Sequence, residues 1–268
     1  MSPTARGLRL VTWNCCRGPL AAKLAALDAL HADIAVLQEC PKPARQSDQF
    51  RWLGDTPRQG VAVIARGEYR LRRLPAPDGA PRYALPVSIR GPEQFSLLAI
   101  WAMNDRPLRY VRAVVRTVEL HRARLARGAM FVLGDFNSNT VWDREHPTTT
   151  NHSALVGQLA ALGLHSCYHR ATGESHGAES TPTFHLYRHA SRPYHLDYCF
   201  APSSWLSRLS AVTIGAHERW MRHSDHRPLI MDFTPPAVDV TASRQPRRGP
   251  DDPPPARPAA PHARRARR

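Results

Sequence analysis

Short apolar runs alternate with polar, Gly- and Pro-bearing segments along most of this chain. Leu8 to Trp13, Ile34 to Leu37, Val61 to Ala65, Tyr69 to Leu74, Tyr83 to Ile89 and Phe95 to Trp101 have the length and residue types of strands. Ala129 to Leu133, Tyr194 to Ala201, Leu209 to Gly215 and Leu229 to Phe233 repeat the pattern further on. Helical spacing appears in three places. Pro19 suits a first turn, and Leu24, Leu27 and Leu30 follow it, which predicts a helix over 19–31. Val111, Val114, Val115, Val118 and Leu125 predict one over 109–127, and Leu155, Val156, Leu159 and Leu162 one over 151–162, stopped by Gly163. Strands outnumber helices, as expected for two sheets packed face to face with helices outside.

The pattern ends near Thr234. Residues 235–268 are Pro-, Arg- and Ala-rich without apolar periodicity, and a segment that buries so little surface does not offset its ordering entropy. The expectation is one catalytic domain over 1–235 and a disordered basic tail over 236–268. No apolar run approaches the roughly 20 residues of a membrane span, and Met1 to Arg9 lack the apolar core of a signal peptide. These readings predict a cytoplasmic protein, and a monomer is expected.

Charge adds a hint about partners. The formal net charge is +15, with 37 Lys and Arg, and the tail accounts for only part of it. A basic body suits a polyanion such as nucleic acid. Only Lys23 and Lys42 are Lys, so a GC-rich genome is an equal explanation of the Arg excess. The five cysteines are odd in number and form no Cys-x-x-Cys pair, which argues against a disulfide framework and a structural zinc site. His165, His169, His176, His185 and His189 are scattered without zinc spacing and read as ordinary structural or surface histidines.

Chemistry collects at the ends of the apolar runs. Thr12-Trp13-Asn14, Leu37-Gln38-Glu39, Trp101-Ala102-Met103-Asn104, Gly134-Asp135-Phe136-Asn137-Ser138, His195-Leu196-Asp197-Tyr198 and Ser224-Asp225-His226-Arg227-Pro228 each place a polar or aromatic group where a strand stops. Glu39 after a buried run needs water, a partner or a metal. Asp135 and Asn137 alternate to one side of their strand, and an Asx turn would explain that pair equally well. Asp197 wants a partner, and His226 is the obvious one.

Taken together these segments resemble the endonuclease/exonuclease/phosphatase superfamily, whose members include exonuclease III-like and DNase I-like nucleases. The resemblance spans Leu8 to Phe233. It implies a DNase I-like α/β fold: a four-layer sandwich of two mixed β-sheets flanked by helices. It also implies hydrolysis of phosphoesters dependent on Mg²⁺, with Mn²⁺ as an alternative. Carried over by position, Glu39 is the main metal ligand, Asn14 lies beside the metal and Asp225 completes that network. Asp135 orients or deprotonates the water, with Asn137 placing it, and His226 contacts the phosphate while Asp197 holds it. Asp135 and the Asp197–His226 pair stay as rival general bases.

Two positions depart from the family pattern. Trp101 stands where many members carry His, or Tyr in the abasic-site type, and Cys16 replaces an acidic residue of that type. Trp101, Asn104 and Arg106 are candidate substrate contacts, and the polar segment 138–152 is a candidate recognition loop. The expected substrate is DNA or RNA. A phosphorylated small molecule or lipid headgroup is the alternative, and an inactive nucleic-acid-binding module a third reading.

Overall fold

The computed structural model describes residues 7–236. The tail expected beyond 236 lies outside the described residues.

The first half of the chain contributes β1 (Leu8–Asn14), β2 (Ile34–Gln38), β3 (Phe50–Thr56), β4 (Gln59–Ala65), β5 (Arg70–Arg73), β6 (Ala84–Arg90) and β7 (Phe95–Trp101). The second half contributes β8 (Met130–Asp135), β9 (Leu164–Ser166), the short pair β10 (Phe184–His185) and β11 (Pro193–Tyr194), then β12 (Asp197–Pro202), β13 (Leu209–Ile214) and β14 (Leu229–Phe233). They form two six-stranded sheets, ordered β13-β14-β1-β2-β4-β3 and β5-β6-β7-β8-β12-β9. Both are mixed. β1 runs parallel to β2 and β7 parallel to β8, and the remaining pairs within them are antiparallel.

Apolar residues on both sides of each central strand explain the layering, because a sheet covered on both faces reads as continuous hydrophobic sequence. Leu10, Ile34, Val36 and Met231 of one sheet meet Leu85, Leu97, Phe131 and Leu133 of the other in the central core. The outer face of the second sheet packs Leu98 and Val132 against Val114, Val118 and Leu155 of α2 (Val111–Leu125) and α3 (His152–Ala160). The outer face of the first sheet packs Val11, Trp13 and Ala35 against Leu27 of α1 (Leu20–Asp28). The order helix, sheet, sheet, helix is the four-layer sandwich expected from sequence.

The three expected helices are present, each shorter at both ends than the span predicted for it. β3 carries no clear alternation and was not expected. It forms because β4 offers it a partner edge, with Trp52 buried against the first sheet's outer cluster. A further short helix, α4 (Cys167–Thr172), follows β9 and closes at Gly173, whose φ is 75°. The five cysteines are free thiols.

Candidate active site

The strand register gathers the candidate residues at one edge of the sandwich. Asn14 ends β1 opposite Gln38 of β2, so Glu39, the next residue, leaves the sheet beside it. Asp135 ends β8 and is paired with Trp101 on one side and Asp197 on the other. Antiparallel β14 begins beside Thr12, which puts the preceding Ser224-Asp225-His226 turn next to Asn14. Gly134 permits this crowding. Its φ is 144°, and a Cβ there would lie 1.9 Å from the carbonyl oxygen of Ile100.

Asp135, Asp197 and His226 form the tight centre: one ligating atom from each lies within 4.8 Å of the others. His226 Nδ1 is 2.8 Å from Asp197 Oδ2. Asn14 Nδ2 donates to Asp135 Oδ2 at 3.0 Å and to Glu39 Oε1 at 3.3 Å, joining the two carboxylates. Asn137 donates its backbone N–H to Asp135 Oδ1 at 2.8 Å and its Nδ2 to Oδ2 at 3.0 Å. Arg17 Nε pairs with Glu39 Oε2 at 2.9 Å from the solvent side. Four non-glycine residues here, Cys16, Arg17, Glu39 and Asn137, have φ between 46° and 53°. Such left-handed backbone is costly and characteristic of functional sites.

Burial sets the electrostatics. Burial raises Asp135, and despite His226 and its Asn partners its carboxyl is pushed up to about 7. Burial alone would lower His226, but the charges of Asp197, Asp135 and Asp225 and the hydrogen bond to Asp197 outweigh it and raise the ring to about 10. Burial, then the charges of Asp225 and Glu39, push the Cys16 thiol up, so it adds no negative charge beside Glu39 near neutral pH.

Not every expected residue joins this centre. Glu39 reaches it only through Asn14, and the amide oxygen of Asn14 is taken by the backbone N–H of Cys16. Asp225 is half-buried beside Ser224 rather than within the tight trio. Trp101 is buried and packs its ring 4.7 Å from Tyr83 at the end of the central core. Asn104 and Arg106 are exposed, and Arg106 lines a cleft over Trp101 with Arg82 and Asp105. Segment 138–152 divides in two. Ser138 and Asn139 are buried, Asn139 donating to His195 O and Tyr198 Oη. Trp142, further along, lies 5.0 Å from Tyr194 in a groove that includes Asn137 and Phe184.

Three supports were not assigned a role from sequence. The Ser224 hydroxyl donates to Asn14 O at 2.7 Å and accepts from His226 N, tying the two ends of the site together. Thr183 Oγ1 accepts from the backbone N–H groups of Leu196 and Asp197, both at 3.0 Å. Trp13 Nε1 donates to His226 O. Serine in the Asp-His turn was a visible signal; Thr183 had none.

A family model described as Endonuclease/Exonuclease/phosphatase family matches residues 11–226. Several solved structures share the fold. A 3′-phosphatase from Neisseria, solved with a product DNA hairpin, superposes with TM-score 0.64 at 20% identity, covering 84% of this chain and 99% of that one. The endonuclease domain of the telomere-specific retrotransposon TRAS1 gives 0.61 at 19%, covering 85% and 98%. An AP endonuclease from Archaeoglobus fulgidus gives 0.63 at 17%, covering 84% and 99%. No curated protein matches the chain.

Proposed function

From the premise that this chain belongs to the Endonuclease/Exonuclease/phosphatase family, we propose that residues 1–235 are a divalent-metal-dependent phosphodiester hydrolase, a nuclease acting on DNA or RNA. The observation that carries this reading is the buried Asp135–Asp197–His226 trio bridged through Asn14 to Glu39.

The donor set suits a hard divalent ion. Glu39 offers a carboxylate that is partly open to solvent, and Asp197 Oδ1 is fully buried without a hydrogen-bond partner, an unmet demand that a cation or its water would answer. Glu39, with Asn14 and Asp225 around it, is the proposed holder of Mg²⁺ or Mn²⁺. When bound, such an ion neutralises phosphate oxygens and steadies the leaving group.

The chain's own groups do the rest. Asp135 is the proposed base. Its two oxygens are aimed by Asn14 and Asn137, and its raised affinity for a proton lets it take one from an attacking water near neutral pH. His226 stays cationic because Asp197 holds it, so it is suited to face the charge that develops on phosphate rather than to act as the base. The aromatic groove of Trp142, Tyr194 and Phe184 beside Asn137 favours a substrate carrying bases over a bare phosphoester, since rings of this kind stack nucleobases.

The test is a metal-dependent hydrolysis panel of single- and double-stranded DNA, abasic-site DNA, RNA and phosphorylated small molecules. Polymer cleavage is expected, lost in Glu39→Ala and reduced about 10²–10⁴-fold in His226→Ala. Turnover of only the small molecules would move the protein to the phosphatase branch, and an unchanged rate in Glu39→Ala would overturn the assignment of the metal.

A further inference from the structure

A second cluster of ligating groups lies outside the proposed active site and uses none of its side chains. His169 comes from α4, and His176 and Glu179 from the loop that follows it. One ligating atom from each lies within 4.8 Å of the other two. His169 Nε2 is 3.2 Å from Glu179 Oε1, and the two imidazoles are stacked with centroids 3.5 Å apart. All three residues are half-buried, and both histidines line a cleft that also includes Ser166, Arg170 and Phe200.

Each donor is held in place by a partner. His169 Nδ1 sits 2.8 Å from Ser166 Oγ. His176 Nδ1 sits 3.4 Å from His152 Nε2, whose other nitrogen is 2.6 Å from Ser138 Oγ. Both oxygens of Glu179 accept from Asn139 Nδ2 at 3.1 Å, and Oε2 also accepts from Gly177 N. Ligand side chains in metal sites are oriented in this way, by hydrogen bonds from the opposite side of the ring or carboxylate.

Two imidazole nitrogens and one carboxylate oxygen are the protein donors of open, four-coordinate zinc sites. Nitrogen donors also select borderline ions over Mg²⁺. We propose that His169, His176 and Glu179 form a second cation site, for a Zn²⁺-class divalent transition metal, distinct from the hard-ion site at Glu39. Its role is to clamp. His176 and Glu179 lie on the loop that leads to Thr183, which holds the backbone of Asp197, and Asn139 lies two residues beyond Asn137. An ion here fastens that loop to α4 beside both supports of the active centre. The inference does not depend on the reaction proposed above.

The experiment uses the full chain, stripped with a chelator and then dialysed against Zn²⁺ in the presence of excess Mg²⁺. Bound zinc is measured by elemental analysis and stability by thermal melting. The expected result is one retained Zn²⁺ that raises the melting temperature of the wild type and of Asp135→Asn alike. Affinity should fall at least about 100-fold in His176→Ala and in Glu179→Gln, more than loss of an outer-shell partner costs. The proposal is overturned if the wild type retains no Zn²⁺ in excess Mg²⁺, or if Asp135→Asn loses the ion. It is equally overturned if either ligand variant, folded by circular dichroism, binds Zn²⁺ as tightly as the wild type. Should His176→Ala fail to fold, Glu179→Gln and the wild-type measurement decide the matter.

Discussion

Asp197 shows how much one side chain depends on neighbours that are remote in sequence. It is fully buried, its Oδ2 is spent on His226, and its backbone N–H is held by the hydroxyl of Thr183. Thr183 Oγ1 serves two buried N–H groups at once. Thr183→Val keeps the shape and removes the acceptor. Each stranded buried N–H costs about 1–3 kcal/mol, so urea denaturation should show a loss of that order, restored by Thr183→Ser. Hydrolysis should fall with it, because Asp197 sets the position of His226. A wild-type denaturation midpoint in Thr183→Val would show that water replaces the hydroxyl. The same logic explains where Trp101 sits: at the end of β7 its ring packs against Tyr83 and forms part of the lining of the cleft shared with Arg106.

At the level of elements, α2 carries a group that reports on folding through pH. His121 is buried on the face of α2, and its Nε2 has no hydrogen-bond partner. Burial, with the charge of Arg124 added, lowers its pKa to about 4. The unfolded chain takes up this proton near pH 6.5, while the folded helix refuses it until about 4. The unfolded state therefore binds more protons across that interval, and stability falls as pH falls from 6.5 to 4. The loss attributable to His121 is on the order of 2–3 kcal/mol. Urea denaturation at pH 7 and pH 4 should show His121→Gln losing less stability than the wild type by about that amount. Equal losses would place the acid sensitivity elsewhere. The parallel pairs β1–β2 and β7–β8 matter in a different way. Each carries its polar residues out at its C-terminal end, so the edge of the sheet becomes the floor of the site.

For the whole molecule, the net charge of +15 becomes testable once a polymer substrate is proposed. Neutralising phosphates releases counterions, and observed affinity for duplex DNA falls with salt at a slope of about −0.9 per contact. Even two such contacts cost roughly tenfold over a fourfold rise in salt. At sub-saturating oligonucleotide, kcat/KM should drop steeply between low and moderate NaCl, while turnover of a small phosphoester changes little. A salt-insensitive rate on the polymer would reduce the Arg excess to compositional bias. Among the described residues no helix is long and apolar enough to cross a membrane.

What the sequence determined by itself is local and repetitive. Apolar runs of strand length, three amphipathic helices and short polar motifs at strand ends were enough to give the layered fold and to name Asp135, Asn137, Asp197 and His226, because period and strand-end position are properties of neighbouring residues. Long-range register decided the rest. Only the pairing of β8 with β12 sets Asp135 opposite Asp197, and only the first sheet's order brings Ser224 onto Asn14. β3 needed the edge of β4, and Trp101 was drawn into the core. The histidines that look scattered along the chain, His152, His169 and His176, became one cluster because a loop and two helices converge beside Tyr198. Spacing in sequence carries little information about such contacts, since they are made between separate segments that only the tertiary fold brings together.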